Sequence, residues 1–280
     1  MRIRSFDEVK GILYLVATPI GNLQDMTLRA IEILKTADKI YAEDTRNSIL
    51  LLKHYEIKTP LESYHEFNQE IKEEQILNEL QAGKVIAIIS DAGLPVISDP
   101  GYKIVLAAIN NNIAVSTIPG ASAGISALIA SGLAPLPYTF YGFLDSKQSK
   151  RVKELEQLKY ISHTIIFYEA PHRIAETLRD LLEVFGDRNI VLARELTKSY
   201  EEFLRGKISE VIEYLPVKGE LVLIVEGYKE LKEEFDPNVK IDEFIELGYK
   251  PNEAIKAVAK LANLNRSDLY KHYLEYKNKK

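Results

Sequence analysis

Short apolar runs rich in β-branched residues alternate along this chain with longer stretches in which apolar positions recur every three or four residues. The runs at Ile12–Ala17, Lys39–Ala42, Val85–Ile89 and Ala114–Ile118, and then at Thr139–Phe143, Thr164–Tyr168, Ile190–Ala193 and Leu221–Val225, predict strands. Between them, Leu28, Ile31 and Leu34 share one helical face, as do Ile76, Leu77 and Leu80, and later Leu178, Leu181 and Leu182. The alternation predicts an α/β fold of parallel strands joined by crossover helices. Gly and two Pro in SGLAPLP, residues 131–137, interrupt both periods and predict a boundary. One α/β domain then spans 1–132 and a second 133–230. Residues 229–238, KELKEEFDPN, read as a charged linker. Beyond it the strand pattern stops. Ile241–Leu247, Pro251–Ala262 with Pro in the first turn, and Ser267–Tyr276 with Ser267 as cap predict a small helix-turn-helix-like module over 236–280.

At 280 residues and 46% hydrophobic content the chain can build two cores. Its net charge of −5 is mild, but residues 236–280 carry nine Lys/Arg against seven Asp/Glu. The last fifteen residues hold Arg266, Lys271, His272, Lys277, Lys279 and Lys280, which suits a solvated helical tail or an RNA-touching appendage. There is no Cys, and the five His form neither HxxxH nor HExxH, so no metal is expected. The start, MRIRSFDEVKGILYLVA, lacks the apolar region of a signal peptide, and no run reaches the roughly 20 apolar residues of a membrane span. A cytoplasmic protein is expected.

Three loops follow predicted strands: TPIGN at 18–22, SDAGLPVISDPG at 90–101 and PGASA at 119–123. Gly and Ala let a ligand approach the main chain, Pro fixes the path, and Asp91 offers an acceptor. Loops that leave strands of one sheet converge at its carboxyl edge, where open α/β sheets bind ligands. Neither GxGxxG nor GxxxxGK[ST] occurs, which disfavours NAD and ATP. Asp99 reads as a cap for the helix that follows the second loop.

In order along the chain stand TPIGNLQDMTLRA at 18–30, EDTRNSILL at 43–51, SDAGLPVISDPGY at 90–102, IPGASA at 118–123, FYEAPHRI at 167–174 and LARELTK at 192–198. Together they resemble the tetrapyrrole (corrin/porphyrin) methylase superfamily over residues 11–227, and within it the branch that acts on ribosomal RNA. The helical tail is similar to that branch's C-terminal helix-turn-helix module. The resemblance implies two α/β domains with S-adenosylmethionine folded into the cleft between them, and a homodimer. It further implies 2′-O-methylation of a cytidine ribose in the decoding region of small-subunit (16S) ribosomal RNA, free or in the assembled 30S subunit. Carried over by motif, the donor contacts are Ile20, Asp91, Leu94, Ser122 and Ala123 from the first domain, and Phe167, Tyr168, Arg194, Leu196 and Gly219 from the second. Porphyrin and corrin methylases often carry a GxGxGD-like first loop and GDP in the second. ATPIGN and SDAG stand in those places here, which argues for RNA over a tetrapyrrole.

Methyl transfer from a sulfonium is an in-line displacement, so alignment is the protein's main task, and a ribose hydroxyl gains from a nearby proton acceptor. Glu43 and Asp44 are the leading candidates, with Arg46 to clamp a phosphate or orient a carboxylate. The alternative is an acidic helix start, with Asp44 or Thr45 capping the Asn47–His54 helix. His65 and His172 are further proton acceptors or RNA contacts. Lys147, Lys150 and Arg151, with Arg29, Arg46, Arg173, Arg194 and Lys198 in or beside the loop motifs, are the cations expected to meet RNA, with a solvated face as the alternative for each. Two other functions compete: a methylase for a tetrapyrrole or other small molecule, and a non-catalytic ribosome-binding protein on a methylase scaffold.

Overall fold

The structure is a computed structural model and describes residues 11–230 and 235–279. They form two compact units, one ending at Tyr228 and the other beginning at Lys229. In the first unit, β1 (Ile12–Val16), β2 (Lys39–Ala42), β3 (Leu61–Ser63), β4 (Val85–Ile89) and β5 (Ala114–Ile118) make a wholly parallel sheet in the order β3-β2-β4-β1-β5. Parallel strands need long crossovers, supplied by α1 (Leu28–Thr36), α2 (Thr45–His54), α3 (Gln69–Gln81) and α4 (Tyr102–Asn110). Helices on both faces explain why β4 reads as the unbroken run VIAII. Val16, Ile40, Ala87 and Ile89 pack with Ala30, Leu34 and Leu52 on one face. Leu13, Tyr41, Ile86 and Ile88 pack with Ile76, Leu80 and Ile104 on the other. Each fully buried Val, Leu or Ile among these stabilises the fold by roughly 1.5–3 kcal/mol.

A second sheet follows α5 (Ala123–Ser131) and runs β6-β7-β10-β8-β9, from β6 (Tyr138–Phe143), β7 (Thr164–Glu169), β8 (Asn189–Arg194), β9 (Glu202–Lys207) and β10 (Leu221–Val225). The all-parallel expectation fails here. β6 and β7 are parallel, but β10 is antiparallel to β7 and β8, and β9 to β8. Strand direction is set by the connections and is invisible to local periodicity. The strands alternate strictly in what they bury. Ile165, Phe167, Leu192 and Leu223 join the core built with α6 (Gln148–Leu158), α7 (Ile174–Phe185) and α8 (Ile208–Ile212). Ile166, Val191, Ala193 and Val222 face Ala127 and Leu128 of α5, with Ile20 from the first loop. The helix before the SGLAPLP interruption therefore packs on the second sheet.

The second unit holds α9 (Pro237–Glu246), α10 (Pro251–Ala262) and α11 (Arg266–Lys279) around Ile241, Ile255, Val258, Leu269 and Tyr273. Of the expected linker, residues 231–234 lie outside the described residues. Asp236 already caps α9, its carboxylate accepting from the Asn238 amide at 2.8 Å. At α11 the cap is Asn265, which accepts from the amide of Ser267, so Ser267 lies inside the helix rather than at its cap. Among the described residues no helix is long and apolar enough to cross a membrane.

Candidate functional site

The carboxyl ends of β4, β1 and β5 lie side by side, because Val16 is in register with both Ile89 and Ile118. The three loops that leave them are tied together at once. Thr18 and Gly93 exchange backbone hydrogen bonds at 2.9 and 3.1 Å, and the buried Thr18 hydroxyl donates to the Ser90 carbonyl. Gly120 lets the third loop lie on β1, since a Cβ there would come within 2.7 Å of Ala17 Cβ. From the second sheet, antiparallel pairing sets Leu221, the first residue of β10, opposite Glu169 and Arg194, the last residues of β7 and β8. Glu220–Val222, Tyr168–Pro171 and Leu196 therefore meet at one edge, facing the loops of the first sheet. Gly21 marks a close approach between the two sets. A Cβ there, at φ +153°, would come within 2.6 Å of Lys198 Cγ.

Between the two sets lies a cavity of ≈ 580 Å³. Its walls combine small residues (Ala92, Gly93, Ser122, Ala123) with apolar ones (Ile20, Leu94, Phe140, Leu196) and the acids Asp91 and Asp99. Tyr168 stands in the wall with its hydroxyl accepting from the Gly124 amide at 3.2 Å. The lining loops hold left-handed residues other than glycine: Val96 (φ +75°), Ser98 (+66°), Glu195 (+51°) and Thr197 (+67°). Such conformations cost of order 1–3 kcal/mol each and persist only where the surroundings impose them.

Acids crowd this edge. Glu43 stands at the end of β2, beside Asp91 and Asp99. Asp91 is held by the start of α2, accepting from the Asp44 amide and from Asn47 Nδ2, both at 3.2 Å. Burial and then the neighbouring charge of Asp91 push the Glu43 carboxyl above its ordinary value. For Asp99, burial and the charge of Glu43 push it to about 6. Asp44 goes the other way. It caps α2, and Arg46 binds it through two nitrogens, at 2.6 and 3.0 Å, which holds its carboxyl at about 2. The cap reading of Asp44 is thus observed, since its carboxylate accepts from the Arg46 amide at 2.8 Å, and a carboxylate held this low is a weaker proton acceptor than its neighbours Glu43 and Asp99. Among the described residues no group of three or more acids and histidines is arranged to hold a metal ion.

Of the expected donor contacts, Ile20, Asp91, Leu94, Ser122, Ala123, Tyr168 and Leu196 line the cavity. Three do not. Phe167 points to the opposite face of its sheet, into the core around α7. Arg194 pairs with Glu202 at 2.9 Å and donates to the Lys218 carbonyl, and Gly219 packs under Glu195. Their neighbours Tyr168, Glu220 and Leu221 face the cavity instead. Among the expected RNA contacts, Arg151 is 0% exposed and bonds Asp180 at 2.7 Å, so it is structural. Arg173 also turns inward, to Glu169 and the Leu144 carbonyl. Lys198 is bonded to Glu195 and Glu220 within 3.0 Å. Lys150 pairs with Asp145 at 3.3 Å. Arg29, Lys147 and His172 are exposed, and His65 is half-buried near Glu43. Sequence reasoning missed Asp99, which caps nothing: α4 begins after Gly101 without a side-chain cap. It also missed Tyr138 and Phe143, which line the cavity while 38% and 54% exposed. Aromatic residues on an edge strand were the signal available.

Residues 12–212 match the family model described as Tetrapyrrole (Corrin/Porphyrin) Methylases. The chain belongs to the tetrapyrrole methylase family. Within it, the chain is 50% identical over 280 residues to a Streptococcus pyogenes serotype M1 protein named Ribosomal RNA small subunit methyltransferase I, covering 96% of this chain and 98% of that one. Proteins of the same name from Bacillus subtilis (strain 168) and a Synechocystis strain are 50% and 46% identical, covering 94% and 95% of this chain and 94% and 98% of theirs. Two solved tetrapyrrole-methylase-type structures share the fold. Diphthine synthase superposes with a TM-score of 0.61 at 13% identity, over 77% of this chain and 89% of that one. A uroporphyrin-III C-methyltransferase from Thermus thermophilus, complexed with S-adenyl homocysteine, gives 0.55 at 18% identity, over 77% and 97%.

A methylase donor carries a sulfonium and an ammonium, and the cavity's residues suit it. Asp91 offers negative charge to a cation, and Leu94, Phe140 and Leu196 offer apolar surface to a flat ring.

Proposed function

We propose that this chain is an S-adenosylmethionine-dependent methyltransferase of small-subunit ribosomal RNA that methylates the 2′-hydroxyl of a cytidine ribose. The observation that supports this reading is the near-full-length identity of about half to proteins named Ribosomal RNA small subunit methyltransferase I, and the cytidine ribose as acceptor goes beyond those names. Ile20, Leu94, Ser122, Ala123, Tyr168 and Leu196 would hold the donor, with Asp91 toward its cationic end. When bound, the donor supplies an electrophilic methyl carbon. The chain's own part is to align the ribose oxygen with that carbon, keep water out and receive a proton. Alignment contributes most, because effective molarity lowers such barriers by several kcal/mol.

RNA needs a platform as well as a base. Phe143 and Tyr138 expose aromatic faces on which an unstacked base can lie, and His172 directly follows the cavity-lining Pro171. Lys147 and Arg29 add exposed positive charge for phosphates. The loss of Arg151 and Arg173 to internal pairs leaves fewer cations than the sequence promised, so base stacking carries more of the recognition. The test is to map ribose methylation by mass spectrometry on small-subunit RNA from cells with and without the gene, alongside calorimetry with S-adenosylhomocysteine. One ribose methyl that vanishes with the gene, and one product molecule bound per chain, are expected. A methyl lost from a base, or no binding, overturns the reading.

A further inference from the structure

We propose that Asp99, backed by Glu43, takes the proton of the attacking ribose hydroxyl. This rests on the ribose-methylation reading above. Four acids meet at the carboxyl edge of the first sheet, and geometry gives each a different job. Asp44 is committed to capping α2 and to Arg46. Asp91 lines the cavity, but both its oxygens are engaged by donors at the start of α2. Glu43 does not line the cavity; it is exposed at the end of β2 and shares a hydrogen bond with Asp99. Asp99 combines a place in the cavity wall with a hydrogen bond to a second carboxyl, that of Glu43, and unlike Asp91 its oxygens are not taken up by α2.

The backbone supports the same assignment. Ser98, immediately before Asp99, and Val96, three residues before it, are both left-handed, and a β-branched valine adopts that conformation only when the fold enforces it. The loop thus spends stability on setting the path into Asp99, although Asp99 caps no helix. The charged and titratable groups that face it include Glu43 from the end of β2, Asp91 from its own loop and Tyr168 from β7, with Glu169 and Glu220 of the second sheet lining the same cavity; Asp44 and His65 adjoin Glu43, and the Arg46 guanidinium belongs to Asp44. No cation among these is bonded to Asp99. Burial and the charge of Glu43 hold its carboxyl at about 6, so near neutral pH it is ionised yet far more basic than an ordinary aspartate.

The step balances. The ribose O–H bond breaks, its proton passes to an Asp99 oxygen, and a lone pair of the ribose oxygen forms the new bond to the methyl carbon. The sulfur–methyl bond breaks with its electrons retained by sulfur, which leaves as a neutral thioether. Protonated Asp99 then donates a hydrogen bond to Glu43, which steadies the proton until solvent removes it. Asp99 is the catalytic residue in this scheme and Glu43 a positioning residue.

The test uses the full chain, small-subunit particles from cells lacking the gene and an isotopically labelled donor, with kcat followed across about pH 5 to 8.5 and S-adenosylhomocysteine affinity measured by calorimetry. Wild type is expected to lose kcat on the acid side of about pH 6. Asp99→Asn should lower kcat at alkaline pH by roughly 10²- to 10⁴-fold, abolish that acid limb, and leave product affinity within about twofold. Glu43→Gln should keep most of kcat but move the limb to lower pH, and Glu43→Asp should restore it. Thermal melts of each variant establish that it is folded, and the Glu43 pair carries the test if Asp99→Asn is not. An Asp99→Asn enzyme with normal kcat and an intact limb overturns the assignment. So does one that loses product affinity by the same factor as kcat, which would make Asp99 a donor contact. A wild-type product without ribose methylation overturns the parent reading instead, and mass spectrometry of the product separates the two failures.

Discussion

The two sheets treat their acids in opposite ways. On the first sheet, Glu43, Asp91 and Asp99 crowd one edge, and the nearest guanidinium, Arg46, is bound to Asp44. On the second, Asp180 receives Arg151 and Gln148 at 2.7 and 2.9 Å, and Glu169 receives Arg173, the Thr177 hydroxyl and the Ala170 amide within 3.1 Å. Buried charge survives only when its partners are complete, so the second set holds the fold together. The first set is left short of cations at the edge of a cavity. The difference separates fully partnered acids from acids short of cations on the same chain.

The comparison breaks first at Arg151, where the largest effect is expected. Arg151→Ala strands Asp180 inside the core, and removing one member of a buried pair typically costs about 3–5 kcal/mol. Urea denaturation measures this directly. A second variant sharpens it: Arg151→Met with Asp180→Leu removes both charges and should recover most of the loss, because well-packed apolar replacements of buried pairs are often neutral. If Arg151→Ala cost less than about 1 kcal/mol, as an exposed arginine would, the second sheet's acids would not be structural after all.

That arginine also shows where sequence stops being legible. SKQSKR reads as a basic RNA-facing run because charge pattern says nothing of which helical face meets the core, and only the packing of α6 on α7 turns Arg151 inward. The central strands were readable since β-branched runs such as VIAII are buried on both faces. β3, LES, and β9, EFLRGK, lie at sheet edges, half in solvent, and carry no such run. The cavity-lining loops were legible because each follows a readable strand. Asp99 was not, since SDPG before a helix has the chemistry of a cap and only three-dimensional placement beside Glu43 reveals another use.

The next effect has the opposite sign. A carboxyl raised to about 6 in the folded state, against roughly 3.9 unfolded, favours folding below pH 4 and is a growing burden as pH rises through 6. Asp99→Asn should therefore stabilise the protein at pH 8 by about 1 kcal/mol, a figure discounted for partial exposure, and by nothing at pH 4. Melting temperatures at the two pH values read this without any substrate. Equal stability of variant and wild type at pH 8 would mean that Asp99 is not strained by its neighbours.

The smallest effect tests whether crowding or the sheet itself is responsible. Glu62 belongs to the first sheet too, on β3, but sits in a complete network with Lys72, Lys39 and Gln75 that holds its carboxyl at about 2, the hydrogen bond from Lys72 being the largest cause. Its contribution is present above the unfolded value near 4.3 and fades as pH falls toward 2. Glu62→Gln should thus cost less than about 1 kcal/mol at pH 7, because the network is partly solvated, and progressively less in acid. Two acids on one sheet would then give stability profiles of opposite slope in adjoining windows, the Asp99 contribution falling as pH rises from about 4 to about 6 and the Glu62 contribution rising with pH only below about 4.3. Partners, not the strand or the loop that carries the acid, decide which way it titrates, and a Glu62→Gln variant that became more stable at pH 7 would refute that.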